Sequence, residues 1–308
     1  MLLALGKKFS LLHSVKPTIG AERSEEIRLN FLGLDVFTWD LGGQEMFRSK
    51  YFKQKYRIFS DTTALFYLID VQDSNTFAES LDYLKNILQT FRDLNENPAI
   101  VVCNHKFDPD VRQTADVTKN MNYLEGLLPG ILEGFTSAVY RTSIYDEDTI
   151  VRAFSEGVIS RSPKSPLLKE QLKELSRAVN SQATLLLDEN YFILGSYSSK
   201  KLYYKICEAV APRFFAAIER LKELTVESVD FICDFRVREK SEGELAEDQF
   251  YIACKLIPLL KKKFCIICLT KSKDSAAYLQ QFLPSLSNNL SSILTSVETE
   301  KKGSNDLL

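Results

Sequence analysis

The chain has 308 residues, 45% hydrophobic and 26% charged, with a formal net charge of −2. These values fit about two soluble globular domains of roughly 100–200 residues each. They leave no whole-molecule attraction to polyanions, so no nucleic-acid partner is expected. MLLAL at the start is too short for the apolar region of a secretory signal and has no basic stretch before it. No apolar run approaches the ~18 residues of a membrane span.

The first half alternates strands and helices. EIRLNFL (26–32) and LDVFTWDL (34–41) alternate with period two around Gly33, which predicts a hairpin. TALFYLIDV (63–71) and PAIVVCN (98–104) are nearly continuous apolar runs, as strands buried on both faces should be. TFAESLDYLKNILQTFRDL (76–94) between them has the three- and four-residue apolar spacing of a helix. SAVYRTS (137–143) reads as one more strand. Such alternation implies an open, mostly parallel sheet, whose ligands bind outside the carboxyl ends of its strands. The turns after residues 40, 70, 104 and 143 are therefore where a site is expected.

SRSPKSP (160–166) combines two prolines, three serines and two basic residues, and predicts a linker. Beyond it the order changes. A helix is expected at 167–182, strands at 184–188 and 191–197 joined by Glu189-Asn190, and a helix at 202–224 kinked or split at Pro212. Strands follow at 229–237, 249–257 and 263–270, then a helix at 274–294 interrupted by a proline. Lys261, Lys262 and Lys263 are expected in a hairpin turn, and the polar tail 301–308 carries no pattern. This α–ββ–α–βββ–α order predicts an α+β domain with an antiparallel sheet. The six cysteines are sparse and mostly lie in apolar segments, which predicts reduced, intracellular thiols. Cys265 and Cys268 form a C-x-x-C, but residues three apart on a strand point to opposite faces, so a core role is expected over metal or redox chemistry.

Four short motifs carry chemistry. WDLGGQE (39–45) ends a strand and enters a turn. There Asp40 can hold Mg²⁺ through water, Gly43 can bring its amide to a γ-phosphate, and Gln44 can orient an attacking water. The bland reading is a Gly-Gly turn with a capping glutamine. VVCNHKFD (101–108) ends a buried strand, where Asp108 could accept hydrogen bonds from guanine and the Lys106 stem could lie along the base; otherwise it is a polar turn. YRTSIYDE (140–147) could offer backbone amides of Thr142, Ser143 and Ile144 to the base carbonyl, and Thr18 in KPTIG (16–20) could ligate Mg²⁺.

Taken in order along one sheet edge, these motifs resemble the Ras-like GTPases, and among them the Arf and Rag/Gtr branches, where WDxGGQ is usual. His105-Lys106-Phe107-Asp108 is similar to the H-K-x-D of Rag proteins, and RTSIYDE resembles their R-T-S-I-W-D-E. Alternatively, Asn104 marks a related variant shifted by one residue. The resemblance implies a P-loop GTPase-type α/β domain over 1–160, lacking its first strand, then a roadblock/longin-like α+β dimerisation domain over 161–300. It implies a switch that binds GTP and GDP with Mg²⁺ and hydrolyses GTP. Thr18 and Asp40 would hold the metal, and Gln44 would be catalytic. Gly43, His105, Lys106, Asp108, Thr142, Ser143 and Ile144, with Thr18, would contact nucleotide. Switch segments would lie near 16–24 and 42–56. Expected partners are GTPase-activating and exchange proteins and a homo- or heterodimer mate, in the cytoplasm; peripheral membrane recruitment stays open.

The departure is the phosphate loop, G-x-x-x-x-G-K-[ST]. Gly6 has no glycine before it, Lys7 is followed by Lys8, and Thr18 comes only eleven positions after Lys7. MLLALGKK is therefore expected to be the rest of the helix that follows such a loop, with Met1 an internal methionine or the product truncated. The alternative function is a pseudo-GTPase scaffold that binds no nucleotide and acts through its C-terminal half.

Overall fold

The computed structural model describes residues 21–24, 38–41, 43–159, 162, 164–188, 192–224, 230–241, 244–259 and 262–295. The chain divides into two compact units, Met1–Arg161 and Ser162–Leu308.

In the first unit, β1 (Ala21–Ser24) pairs antiparallel with β2 (Thr38–Leu41), Ala21 opposite Leu41. The predicted strand 26–32, Gly33 and residues 34–37 of the second predicted strand lie outside the described residues. Two short helices follow, α1 (Glu45–Lys53) and α2 (Lys55–Phe59), which the sequence reading left as a switch segment. They are tied down by Tyr51, Ile58 and Phe59, all buried. Then come β3 (Ala64–Asp70), α3 (Phe77–Asp93), β4 (Ala99–His105), α4 (Ala115–Ile131), β5 (Ser137–Thr142) and α5 (Glu147–Ile159). Strands β3, β4 and β5 form a parallel three-stranded sheet in that order. Central β4 is buried on both faces as its apolar run predicts, whereas β3 leaves Leu68 exposed and β5 leaves Val139 exposed.

The helices cover the sheet by simple periodicity. Phe77, Leu81, Leu84, Leu88 and Phe91 form one buried stripe of α3 against Tyr67, Ile69, Ile100 and Val102. Helix α4 adds Val117, Met121, Leu124 and Leu128 to the same core. Its start is capped by Thr114, whose hydroxyl accepts from the Val117 amide. On the other face, Val101 and Cys103 meet Ala153 of α5 with Phe66 packed beside them, and Phe66 stacks on Phe154 at 5.6 Å.

The second unit is α6 (Ser165–Ala178), β6 (Ser181–Leu187), β7 (Ile193–Ser198), α7 (Lys201–Glu223), β8 (Asp230–Ser241), β9 (Glu244–Leu259), β10 (Lys262–Thr270) and α8 (Lys273–Thr295). Its antiparallel sheet runs β7-β6-β10-β9-β8. This is the α–ββ–α–βββ–α order read from the sequence. One face packs on α7 through Tyr203, Cys207, Phe214, Phe215 and Ile218. On the other, the Thr184 hydroxyl meets Ser176 of α6 at 2.7 Å, and the buried Lys255 ammonium donates to Asp230 and to Gln280 of α8, each at 2.7 Å.

Several expectations are corrected. Helix α7 is continuous through Pro212 and α8 through Pro284. Each proline removes one amide from its ladder, but Ala211, Phe214, Leu283 and Leu286 around them are buried, and packing holds the helices whole. Lys262 and Lys263 lie in β10 opposite Leu259 and Pro258, not in the turn. Helix α6 gives way to β6 at Ser181, earlier than predicted. The linker is shorter than expected: Ser162 and Lys164 are buried, and the Lys164 ammonium donates to the Leu294 carbonyl at 2.7 Å. Cys265 joins the α7-facing core, while Cys268 faces the Thr184 hydroxyl on the opposite side at 3.6 Å. Burial raises both thiols, Cys268 to about 12, so neither is poised as a nucleophile. No described helix is long and apolar enough to cross a membrane.

Gly157 of α5 is a steric constraint of the first unit. A Cβ there would sit 2.5 Å from the Phe66 ring tip and 2.9 Å from Val101 Cγ2. Phe66 is held by its stack on Phe154, so Gly157→Ala is expected to destabilise the unit by about 1–3 kcal/mol, despite alanine's better helix propensity. Urea melts read by far-ultraviolet circular dichroism measure this, and an unchanged or raised midpoint would contradict the close packing.

Candidate functional site

Parallel register brings three strand ends into line. Asp70 of β3 lies opposite His105 of β4, and His105 lies opposite Thr142 of β5. The turns that leave these strands carry the predicted base-reading residues, and side chains cross-link them.

Asp108 is the centre. Its Oδ1 accepts from the Ser143 hydroxyl, and its Oδ2 accepts from Gln72 Nε2 at 3.1 Å. The same Gln72 amide donates to the Lys106 carbonyl at 2.8 Å. Lys106 has φ +61°, a left-handed conformation unusual for a residue with a side chain, and its ammonium donates to Asp70 Oδ2 at 2.6 Å. The Phe107 amide donates to the Thr142 carbonyl at 3.0 Å. Asp108, Lys106, Ser143 and Thr142 are thus drawn into one polar cluster. Gln72 and Asp70 belong to it although no motif singled them out; only their position on the turn after residue 70 pointed to them.

His105 sits beside the cluster with Nδ1 at 3.0 Å from Thr142 Oγ1. Burial lowers its pKa from 6.5 to about 4, so the ring is neutral near pH 7. Ser143 spends its own amide within its turn, donating to Thr149 Oγ1 at 3.0 Å, and its hydroxyl accepts from the Tyr145 amide at 3.0 Å. Ile144 is half-buried in that turn. Asn104, directly before His105, is fully buried, and both atoms of its amide lack a hydrogen-bond partner.

The second cluster is the turn after β2. Asp40 lies within β2 opposite Glu22. Gly43 is exposed, and nothing lies within 4 Å of where a Cβ would stand. Gln44 is the N-cap of α1 in an extended conformation, with its carbonyl accepting from the Phe47 and Arg48 amides at 2.9 and 3.3 Å. Its side-chain oxygen is buried with no hydrogen-bond partner. Arg48, which the sequence reading passed over, donates from Nε to the Gly43 carbonyl at 2.6 Å. Thr18 lies outside the described residues.

The residues present fit a guanine base and an open phosphate approach. A carboxylate fixed at both oxygens keeps lone pairs for two further donors, and the backbone at Gly43 is sterically open. Of the two predicted Mg²⁺ residues, Asp40 is the one described. No group of three or more metal-ligating side chains occurs among the described residues.

The GTP-binding protein gtr1 of Schizosaccharomyces pombe is 28% identical over 179 residues, covering 57% of this chain and 57% of that protein. The Ras-related GTP-binding protein B of Rattus norvegicus is 27% identical over 175 residues, covering 56% of this chain and 46% of that protein. The chain therefore spans about half the length of these relatives. Among solved structures, Myxococcus xanthus MglB matches with 13% identity and a TM-score of 0.29, over 42% of this chain and 96% of that one. The model of the Gtr1/RagA G protein conserved region matches residues 11–211, which is more than half of the chain, and the protein belongs to that family.

Proposed function

We propose that this protein is a guanine-nucleotide switch that binds GTP and GDP, hydrolyses GTP, and signals by binding partners. The observation that carries the reading is the Asp108 carboxylate, fixed by Ser143 and Gln72 at the edge of a parallel sheet. Such a carboxylate accepts from the guanine N1–H and exocyclic amine and refuses adenine, which offers an acceptor at N1. Lys106, anchored by Asp70, is set to lie along the base. Neutral His105 orients Thr142 and supports the turn beneath the base. Gly43 leaves room for its amide to meet a γ-phosphate, and Gln44 is the residue to orient water. Bound Mg²⁺ supplies charge neutralisation at the phosphates, and Asp40 is the described residue to hold it through water.

Activating and exchange proteins are the expected regulators, because intrinsic hydrolysis in such switches is slow. Pairing with a like chain through the second unit is supported by its edge strand β8, which pairs only with β9 among the described residues and leaves Ile232 exposed. The proposed setting is the cytoplasm.

Fluorescence titration of this chain with a labelled GTP analogue and Mg²⁺ tests the reading. Micromolar or tighter binding, displaced by GTP and GDP but not by ATP, is expected. Asp108→Ala removes two charge-assisted hydrogen bonds and should weaken binding by about a hundredfold or more. No binding by the unaltered chain would leave the scaffold role as the function.

His105 sets a pH dependence. With its pKa held near 4 in the folded chain against 6.5 ordinarily, the unfolded chain binds the extra proton across that window. Folding stability is therefore fully present above about pH 6.5 and falls as pH drops toward 4, by up to about 3 kcal/mol. Urea midpoints of the chain at pH 7, 5.5 and 4.5 should decline. In His105→Gln the decline should be visibly shallower, and an equal decline in both proteins would remove His105 as its source.

A further inference from the structure

Arg48 lies one turn into α1 and is exposed only 19% along its side chain. Three contacts hold it. Its Nε donates to the Gly43 carbonyl at 2.6 Å. One terminal nitrogen donates to Glu79 of α3. Its guanidinium lies over the Tyr83 ring, 4.8 Å from the centroid, a cation–π distance. Tyr83 in turn meets Phe52 of α1 edge-on at 5.6 Å. A guanidinium can make these contacts together because its donors form a rigid planar fork, whereas an ammonium cannot.

The consequence lies one residue away from Gly43. Pinning that carbonyl fixes the peptide that joins Gly43 to Gln44. In this arrangement the Gln44 side-chain oxygen is buried and makes no hydrogen bond. A glutamine that orients water must offer that oxygen to the water, and here it is turned inward. A Cβ at Gly43 would meet nothing within 4 Å among the described residues, so side-chain crowding there does not fix the turn. The Gln44 carbonyl is bonded to the Phe47 and Arg48 amides of α1, and the Gly43 carbonyl is held by the Arg48 side chain.

We propose that Arg48 is a positioning residue that latches the Gly43–Gln44 turn to α3 through Glu79 and Tyr83, holding Gln44 withdrawn until the latch opens. This rests on the guanine-nucleotide reading for its effect on hydrolysis, but the latch itself does not. A regulator that draws Arg48 off Glu79 would free the turn, with no residue added to the site.

The test compares the unaltered chain with Arg48→Met, Arg48→Lys and Glu79→Gln. Hydrogen–deuterium exchange of peptides spanning 43–53, without nucleotide, reads the latch. Exchange of the first α1 amides should quicken by at least about tenfold in Arg48→Met, and by less in Glu79→Gln, which keeps the bond to Gly43. Arg48→Lys should not restore protection. Unchanged exchange in both Arg48→Met and Glu79→Gln would overturn the latch. With Mg²⁺ and GTP, single-turnover hydrolysis should rise severalfold in Arg48→Met while the affinity for a GTP analogue stays within about twofold. A lower hydrolysis rate would mean that Arg48 presents Gln44 and does not withdraw it. A large loss of affinity would mean that Arg48 serves the nucleotide itself. Failure of the unaltered chain to bind the analogue overturns the nucleotide reading and the hydrolysis effect together, and the exchange arm still decides the latch. Should Arg48→Met melt early, Glu79→Gln carries the same comparison.

Discussion

Parallel pairing of β3, β4 and β5 forces Asp70, His105 and Thr142 to end side by side. Each strand then turns back toward a helix at the same edge, so short side chains from three distant segments can meet without long loops. The ion pair of Lys106 with Asp70, the contact of His105 with Thr142 and the two bonds on Asp108 all follow from that register. Slip β4 by a residue and the pairs that its end makes with both neighbours would be displaced. The apolar run that buries both faces of central β4 therefore also helps to assemble the site.

The elements were legible because their periodicities are strong. Helix α3 and strands β3, β4 and β5 fall within a residue or two of the boundaries read from the sequence. What escaped was set by partners distant in the chain. Gln72 has no motif around it; its meaning comes from Asp108, 36 residues away. Arg48 looks like one cation among several on a short helix until Glu79, 31 residues on, is brought beside it. Pro212 and Pro284 carry a local penalty, yet the helices run unbroken through them, with buried neighbours on either side packed into the core. The C-x-x-C was legible for the opposite reason, since the two faces of a strand are a local property.

The two units handle buried polarity differently. In the second, the Ser176, Ser181 and Thr184 hydroxyls bond one another, Lys255 has two partners, and Thr270 donates to the Ser272 carbonyl. That is the pattern of a satisfied scaffold. Among the described residues, the buried side-chain atoms without a partner are those of Gln44 and Asn104, both in the first unit beside strand ends. Lys106, with its left-handed backbone, is two residues from Asn104. Unpaired buried amides and a strained φ each cost on the order of 1–3 kcal/mol. These costs fall in the turn after β2 and at the end of β4, two of the places where the sequence predicts a site. An unbonded Gln44 oxygen costs least when the turn that carries it is free to move, and the contacts of Arg48 are what oppose that movement. The first unit thus sets a cluster cross-linked around Asp108 beside a turn whose carbonyls are held by the Arg48 side chain and by the first amides of α1.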